Sequence, residues 1–242
     1  MISVIIPLYN AENTILAALD SVKNQEGDFN FEILVINDGS TDKSAEKVQQ
    51  FIDENPQLNI QLIHQENKGV SSARNAGLRL AKGVSIALLD ADDVWLPHKT
   101  KVMMKVLTEN PEIDFLVALA NDEQSGFPYI FNEKKLAEIS MKKILIRNVG
   151  PTPTAIFRRK VLENTGYFDE HQRFAEDANY WLRISENNKM FVLGESLVIT
   201  GSGKKSFGES GLSGNLPAME KGFQKNLKEM LQRKRISAIE YF

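Results

Sequence analysis

Cysteine is absent from the 242 residues. Disulfides, zinc–thiolate centres and thiol nucleophiles are thereby excluded, while the compartment stays open, because a chain without thiols suits a reducing cytosol without requiring one. Long apolar runs are missing as well, and no window approaches the roughly 18 apolar residues of a membrane span. Nor is there a basic excess: 29 Lys and Arg face 32 Asp and Glu, for a formal net charge of −3. That balance argues against a nucleic-acid binder, which needs a basic surface. Histidine is scarce, with only His64, His98 and His171. What remains is 42% hydrophobic and 25% charged, an ordinary soluble composition in a chain long enough to bury a core without staples. The opening MISVIIPLYN has a short apolar run, no basic leader and a proline at position 7, so it reads as a strand rather than a signal peptide. A cytoplasmic protein is expected, able to dock on the cytoplasmic face of a membrane.

The first hundred residues alternate strand and helix signals. SVIIP (3–7) is followed by Ile15, Leu16, Leu19 and Val22 at helical spacing, then by the apolar run FEILVI (31–36) and the turn NDGSTD. Ala45, Val48 and Ile52 mark a second helix, with Ser40 or Thr41 as its expected N-cap. IQLIHQ (60–65), a helix over 70–81, the two-faced apolar run VSIALLD (84–90) and a helix opening at Pro97 with Val102, Val106 and Leu107 on one side complete the alternation. This order predicts an α/β fold with a mostly parallel sheet covered by helices on both faces.

The second half is less regular. DFLVALA (114–120) and TAIFR (154–158) read as strands, 133–147 as a helix, and MFVLGESLVIT as a pair of strands. A helix carries Glu176, Asp177, Trp181 and Leu182. Residues 201–215 form a Gly/Ser/Lys loop, and a last helix bears Met219, Phe223, Leu227, Met230 and Leu231 on one stripe and ends in RKR. No internal repeat or linker is visible. The chain stops at AIEYF, compatible with a fragment of something longer.

In open parallel sheets, ligands bind beyond the carboxyl ends of the strands. Here those ends carry PLYN, NDGSTD, QENKG and DADD, so four polar clusters are expected along one sheet edge. Asp90, Asp92 and Asp93 crowd three carboxylates into four positions, and at about 4 Å each ionised pair costs about 4 kcal/mol at an effective dielectric near 20. A helix cap would use one of them. A divalent cation, Mg²⁺ or Mn²⁺, would use more, since such ions are held by one or two carboxylates together with phosphate oxygens. Arg74, one turn into the helix begun by GVSSARNAG, and the backbone N–H groups at that helix start would help an anionic diphosphate; a solvent-exposed helix charge is the equal alternative for Arg74. Asp38 could accept from a base or ribose, or simply build an Asp-Gly turn. Tyr9 could stack on a base or pack at a strand end. The Glu176-Asp177 pair, on its own, is what a helix macrodipole favours in a first turn.

These segments together resemble the family 2 glycosyltransferases, which have a nucleotide-binding GT-A fold. The matching pieces are PLYN (7–10), NDGSTD (37–42), ENKGVSSARNAG (66–77), LLDADDVWLP (88–97) and GYFDEHQRFAEDANYWLR (166–183), in the family's order. GKKSFGESGLSGNLPAME (203–220) also resembles a C-terminal segment of some bacterial members. The resemblance implies Asp38 against uracil with Tyr9 stacking nearby, Pro7, Asn67 and Arg74 beside the nucleotide, and Asp90 and Asp92 as the Asp-any-Asp motif, extended by Asp93, on ribose and the metal-bridged diphosphate. It implies Asp177 as catalytic base, with Glu176 and Trp181 as weaker candidates toward the acceptor; Lys204 or Lys205 could reach the diphosphate in place of a loop histidine. His98 stands where members often carry an acid, and no histidine lies in the 201–215 loop where many relatives have one.

The reaction so implied is an inverting transfer from a nucleotide-sugar, with UDP the expected carrier, to a hydroxyl of a saccharide or lipid-linked saccharide in bacterial cell-surface polysaccharide or glycolipid synthesis. Residues 1–200 are expected to form the GT-A domain, with 1–120 binding nucleotide-sugar and 121–200 carrying the acceptor site and base. Residues 201–242 would be a flexible loop and amphipathic helix. That helix offers either a peripheral contact with an anionic membrane, or packing on the core or on a second subunit as a homodimer. GSGKK lacks the spacing of a P-loop, because Val198 stands where the first glycine belongs and Lys205 where Ser or Thr is needed. A phosphatase reading of DADDV leaves NDGSTD and the Glu-Asp helix unexplained. The remaining alternative is a non-catalytic nucleotide-sugar-binding or interaction module on the same fold.

Overall fold

The computed structural model describes residues 1–123, 126–203 and 214–238. Its first half follows the expected alternation: β1 (Ile2–Leu8), α1 (Ile15–Lys23), β2 (Phe31–Asp38), α2 (Ser44–Glu54), β3 (Ile60–Gln65), α3 (Val70–Leu80) and β4 (Ser85–Leu88). After it come β5 (Val94–Trp95), α4 (Lys99–Glu109), β6 (Phe115–Ala120), β7 (Leu136–Ile139), α5 (Met141–Ile146), β8 (Ile156–Arg158), α6 (Lys160–Thr165), α7 (Glu176–Ile184), β9 (Met190–Ile199) and α8 (Leu216–Gln232). The described strands form one sheet in the order β3-β2-β1-β4-β8-β6-β9-β5, with β7 also on β9. The pairs among β3, β2, β1 and β4 are all parallel. β8 runs antiparallel to β4 and β6, so the second half makes the sheet mixed.

Alternation along β1 explains the layers. Val4, Ile6 and Leu8 join a core with Ile15, Leu19 and Val22 of α1, Val48 of α2 and Met103 of α4. Ile5 points the other way, into a core with Ala73 and Leu78 of α3 and Trp181 of α7. A strand buried on both faces is what a parallel sheet requires. Gly77 lets α3 lie close, since a Cβ there would meet Ile5 Cγ2 at 2.5 Å.

Several expectations need correcting. Leu16 is exposed and Ala18 takes its place inward. α2 starts at Ser44, later than Ser40 or Thr41 would cap, and the carboxylate of Asp42 accepts from Ser44 N at 2.9 Å instead. α4 starts at Lys99 and buries Thr100, Met103 and Leu107. The expected helix over 133–147 is a strand, β7, and a short helix, α5; Asn132 Oδ1 turns the chain by accepting from Lys134 N and Leu136 N, and β7 pairs with β9. The expected strand pair around MFVLGESLVIT is one ten-residue strand with a register shift against β6. The apolar stripe of α8 is spent inside the protein: Met219 and Met230 are buried, while Phe223, Leu227 and Leu231 pack on the same cores.

Candidate active site

Because β1 to β4 are parallel, their carboxyl ends share one edge, and that edge walls a cleft of about 1230 Å³. Pro7, Tyr9, Asp38, Asn67, Arg74, Asp90, Asp92, Asp93, Glu176 and Asp177 all line it. Tyr9 presents an exposed ring. Asp38 is buried, and its carboxylate accepts from Lys68 N and Gly69 N at 2.8 Å each and from Gln65 Nε2 at 2.7 Å. It thereby ties the end of β2 to the start of α3. The neighbouring Gly39 has φ +71°, and a Cβ there would meet Asn67 N at 2.9 Å, so the turn needs glycine.

The segment SSARNAG puts Ser71, Arg74 and Asn75 at i, i+3 and i+4, one face of α3. Ser71 and Asn75 reach the chain just before α7. Ser71 Oγ donates to Gln172 O at 3.2 Å, and Asn75 Nδ2 donates to Phe168 O at 3.0 Å. Arg74 is buried and forks: Nη2 lies 2.8 Å from Asp90 Oδ1 and Nη1 lies 2.9 Å from Glu176 Oε1. The two carboxylates hold its pKa above the usual arginine value despite burial. One cation thus joins the acidic turn to the first turn of α7.

Asp177 sits beside Glu176, half-buried, with Oδ1 accepting from Ala178 N at 2.7 Å. Burial is the chief cause that raises its pKa, and the charge of Asp90 adds to it. A carboxylate raised in this way is a better proton acceptor. Burial and then Asp177 push Glu176 up, against the pull of Arg74. Asn148 Nδ2 lies 3.5 Å from Asp177 Oδ2, too far for a strong hydrogen bond.

The acidic turn is only partly neutralised by Arg74. Crowding by the cleft wall and the charge of Asp90 raise Asp92, and burial followed by Asp90 and Asp92 raises Asp93. Arg74 occupies one oxygen of Asp90, and Gly201 N donates to Asp93 Oδ1 at 2.9 Å, whereas Asp92 is exposed in the cleft. Among the described residues no three His, Cys, Asp or Glu side chains converge as a cage. This oxygen-only donor set fits a hard divalent cation that takes one or two carboxylates and completes its shell from a diphosphate.

Two expectations fall elsewhere. Trp181 is fully buried, 4.6 Å from Phe115 ring to ring, with Nε1 donating to Gly150 O, so it reaches neither cleft nor acceptor. Lys204 and Lys205 lie outside the described residues. The sequence reading missed Thr152, Gln172, Arg173, Thr200 and Met219, which also line the cleft. Gln172 and Arg173 had a signal in their place inside the quoted 166–183 segment, and Met219 in its place inside 203–220.

The sequence profile of "Glycosyl transferase family 2" matches residues 3–166. An uncharacterized glycosyltransferase of Rickettsia bellii is 32% identical over 197 residues, covering 81% of this chain and 28% of its own length. The Escherichia coli UDP-Glc:alpha-D-GlcNAc-diphosphoundecaprenol beta-1,3-glucosyltransferase WfgD is 30% identical over 219 residues, covering 89% of this chain and 80% of itself. Among solved structures, a mannosyltransferase from Pyrobaculum calidifontis in complex with GDP-Man and Mn²⁺ superposes with a TM-score of 0.75 over 96% of this chain and 64% of that one, at 20% identity, a likeness of fold.

Proposed function

The chain belongs to glycosyl transferase family 2, and on that premise we propose that it moves a glycosyl unit from a nucleotide-sugar to a hydroxyl of a saccharide or lipid-linked saccharide, with inversion. The observation that carries this reading is one cleft that holds both the crowded carboxylates of the DADD turn and Asp177, with the fork of Arg74 joining Asp90 to Glu176, the neighbour of Asp177. Asp177 takes the proton from the acceptor oxygen as that oxygen bonds to the anomeric carbon. The bond from that carbon to the diphosphate oxygen breaks with its electron pair on the leaving nucleotide. One displacement from the opposite face inverts the centre.

Asp92, with Asp90 and Asp93, would hold Mn²⁺ or Mg²⁺, which supplies neutralisation of the charge that grows on the leaving diphosphate. Tyr9, Pro7, Asn67 and Asp38, which line the same cleft, would take the base and ribose. UDP is the first donor carrier to test, since WfgD is described with UDP-Glc; the GDP-Man of the archaeal structure makes GDP the second. Residues 1–120 would bind the donor, and 121–200 would supply the acceptor side and base. Calorimetric titration with UDP, in Mn²⁺ and then in EDTA, tests the reading. Binding that needs the metal supports it, and folded protein that binds none of UDP, GDP, dTDP or CDP in either condition overturns it.

A further inference from the structure

A second cavity, of about 590 Å³, opens on the other side of Asp177. It shares Asp177, Pro151 and Met219 with the donor cleft, and Ile144, Ile146, Leu182, Phe223 and Leu227 make most of its wall apolar. A carbohydrate alone gives little reason for so much hydrocarbon beside a base.

Ile146 in its wall, and two residues of a neighbouring loop, face water. Ile146 is 60% exposed although it lines the cavity, and Phe127 and Ile130 are 77% and 82% exposed. The loop bearing them is fixed to the end of α5: Tyr129 Oη donates to Arg147 O at 2.8 Å, and a Cβ on Gly126 would sit 3.5 Å from Arg147 Nη1. Tyr129 itself is buried, so the loop turns its anchor inward while Phe127 and Ile130 on either side stay in water. Cations accompany them. Residues 126–147 carry Lys134, Lys135, Lys142, Lys143 and Arg147 against Glu133 and Glu138, in a chain whose net charge is −3. Lys143 Nζ lies 5.9 Å from the Tyr129 ring centroid, which puts one of these charges next to the loop.

We propose that Phe127, Ile130 and Ile146 rest in the surface of an anionic lipid bilayer, and that the apolar cavity behind them receives the lipid-proximal part of an acceptor anchored there. Apolar side chains with flanking cations are the chemistry of an interfacial anchor. A second copy of this chain fits less well, because a two-fold contact through this face would set the same excess of cations against itself. The apolar stripe of α8 cannot serve, being already packed inside. The bilayer contact stands by itself; the cavity's role rests on the glycosyltransferase reading.

The test is co-sedimentation of the full chain with vesicles of phosphatidylcholine alone and of phosphatidylcholine with phosphatidylglycerol. The expected result is binding to the anionic vesicles that weakens with salt. It should fall roughly tenfold or more in the F127S/I130S/I146S variant, since each change removes a buried apolar side chain from the lipid. These exposed positions leave the fold intact, which UDP titration of the same variant reads separately. Failure of the wild type to sediment overturns the proposal. So does retention by the triple variant with loss in K221E/K228E, which would put the contact on α8, or a lipid-free dimer that the triple variant abolishes. Loss of nucleotide binding in every form would strike the glycosyltransferase reading and leave the vesicle result standing.

Discussion

Arg74 and Glu176 lie 102 residues apart in sequence and 2.9 Å apart in space. The other arm of the same guanidinium holds Asp90, so the DADD turn and the first turn of α7 are joined by one planar group. Lysine keeps the charge but not the fork. Arg74→Lys should therefore lower kcat by about tenfold or more with little loss of fold, because lysine satisfies only one of two carboxylates. Arg74→Met should cost about 3 kcal/mol in denaturant unfolding, as it leaves buried carboxylates uncompensated. Equal activity of Arg74→Lys and wild type would show that the fork sets nothing.

Asp177 and Asp92 should fail differently when changed to asparagine. Asp177→Asn keeps the shape and the Ala178 hydrogen bond but removes the proton acceptor, so transfer should drop by about a hundredfold or more while UDP binding is unchanged. Asp92→Asn should weaken UDP binding in Mn²⁺ by roughly tenfold, and EDTA should abolish the difference between it and wild type. Paired calorimetry and turnover on both variants decide. Normal transfer by Asp177→Asn would remove it as the base.

Asn226 ties α8 to the start of α7. Its Oδ1 accepts from Gln172 Nε2 at 2.7 Å and Asn179 Nδ2 at 3.2 Å, and its Nδ2 donates to Ala175 O at 2.9 Å. Ala175, the residue before Glu176, has a left-handed φ of +52°, a conformation that needs outside support. Asn226→Leu should cost about 2 kcal/mol, since it strands buried polar partners. It should lower kcat while leaving UDP binding near wild type, because neither Asp38 nor the DADD turn contacts Asn226. If UDP binding falls as far as kcat, the network supports the whole cleft rather than the base helix.

The donor half was legible because short apolar runs bounded by Pro, Gly, Asn and Asp fix strands locally, and parallel order then puts their ends on one edge. That edge located the strand-end clusters, while the roles proposed for their residues, and Asp177 with them, came from the family resemblance. The second half resisted for tertiary reasons. Leu136, Ile139 and Ile144 recur at spacings that suit a helix, yet pairing with β9 and the left-handed Lys135 make the first part a strand. Trp181 looked available because its helix begins with Glu176 and Asp177, but one turn on, that helix faces Phe115 and Phe168. Nothing local in the sequence announces that Arg74 meets Glu176, or that α8 reaches Ala175.

Behind the DADD turn lies a side chain at odds with its surroundings. Lys99 is fully buried, its Nζ has no hydrogen-bond partner among the described residues, and its nearest compensation is the Trp95 ring at 3.9 Å. Burial lowers its pKa from 10.5 to about 7. With the folded value below the unfolded one, the unfolded chain binds the extra proton between these limits, so stability rises with pH from about 7 to about 10. Below pH 7 both states are charged, and the folded state bears the full cost of burying the charge. Lys99→Met, of similar length and flexibility, should thus raise Tm at pH 6, by an amount worth a few kcal/mol at most once the ring contact is lost. The gain should shrink on going to pH 10, where the wild-type amine is already neutral in the fold. Thermal unfolding of both proteins at the two pH values reads this directly. A Lys99→Met protein less stable than wild type at pH 6 would mean that the ammonium on Trp95 stabilises the fold rather than strains it.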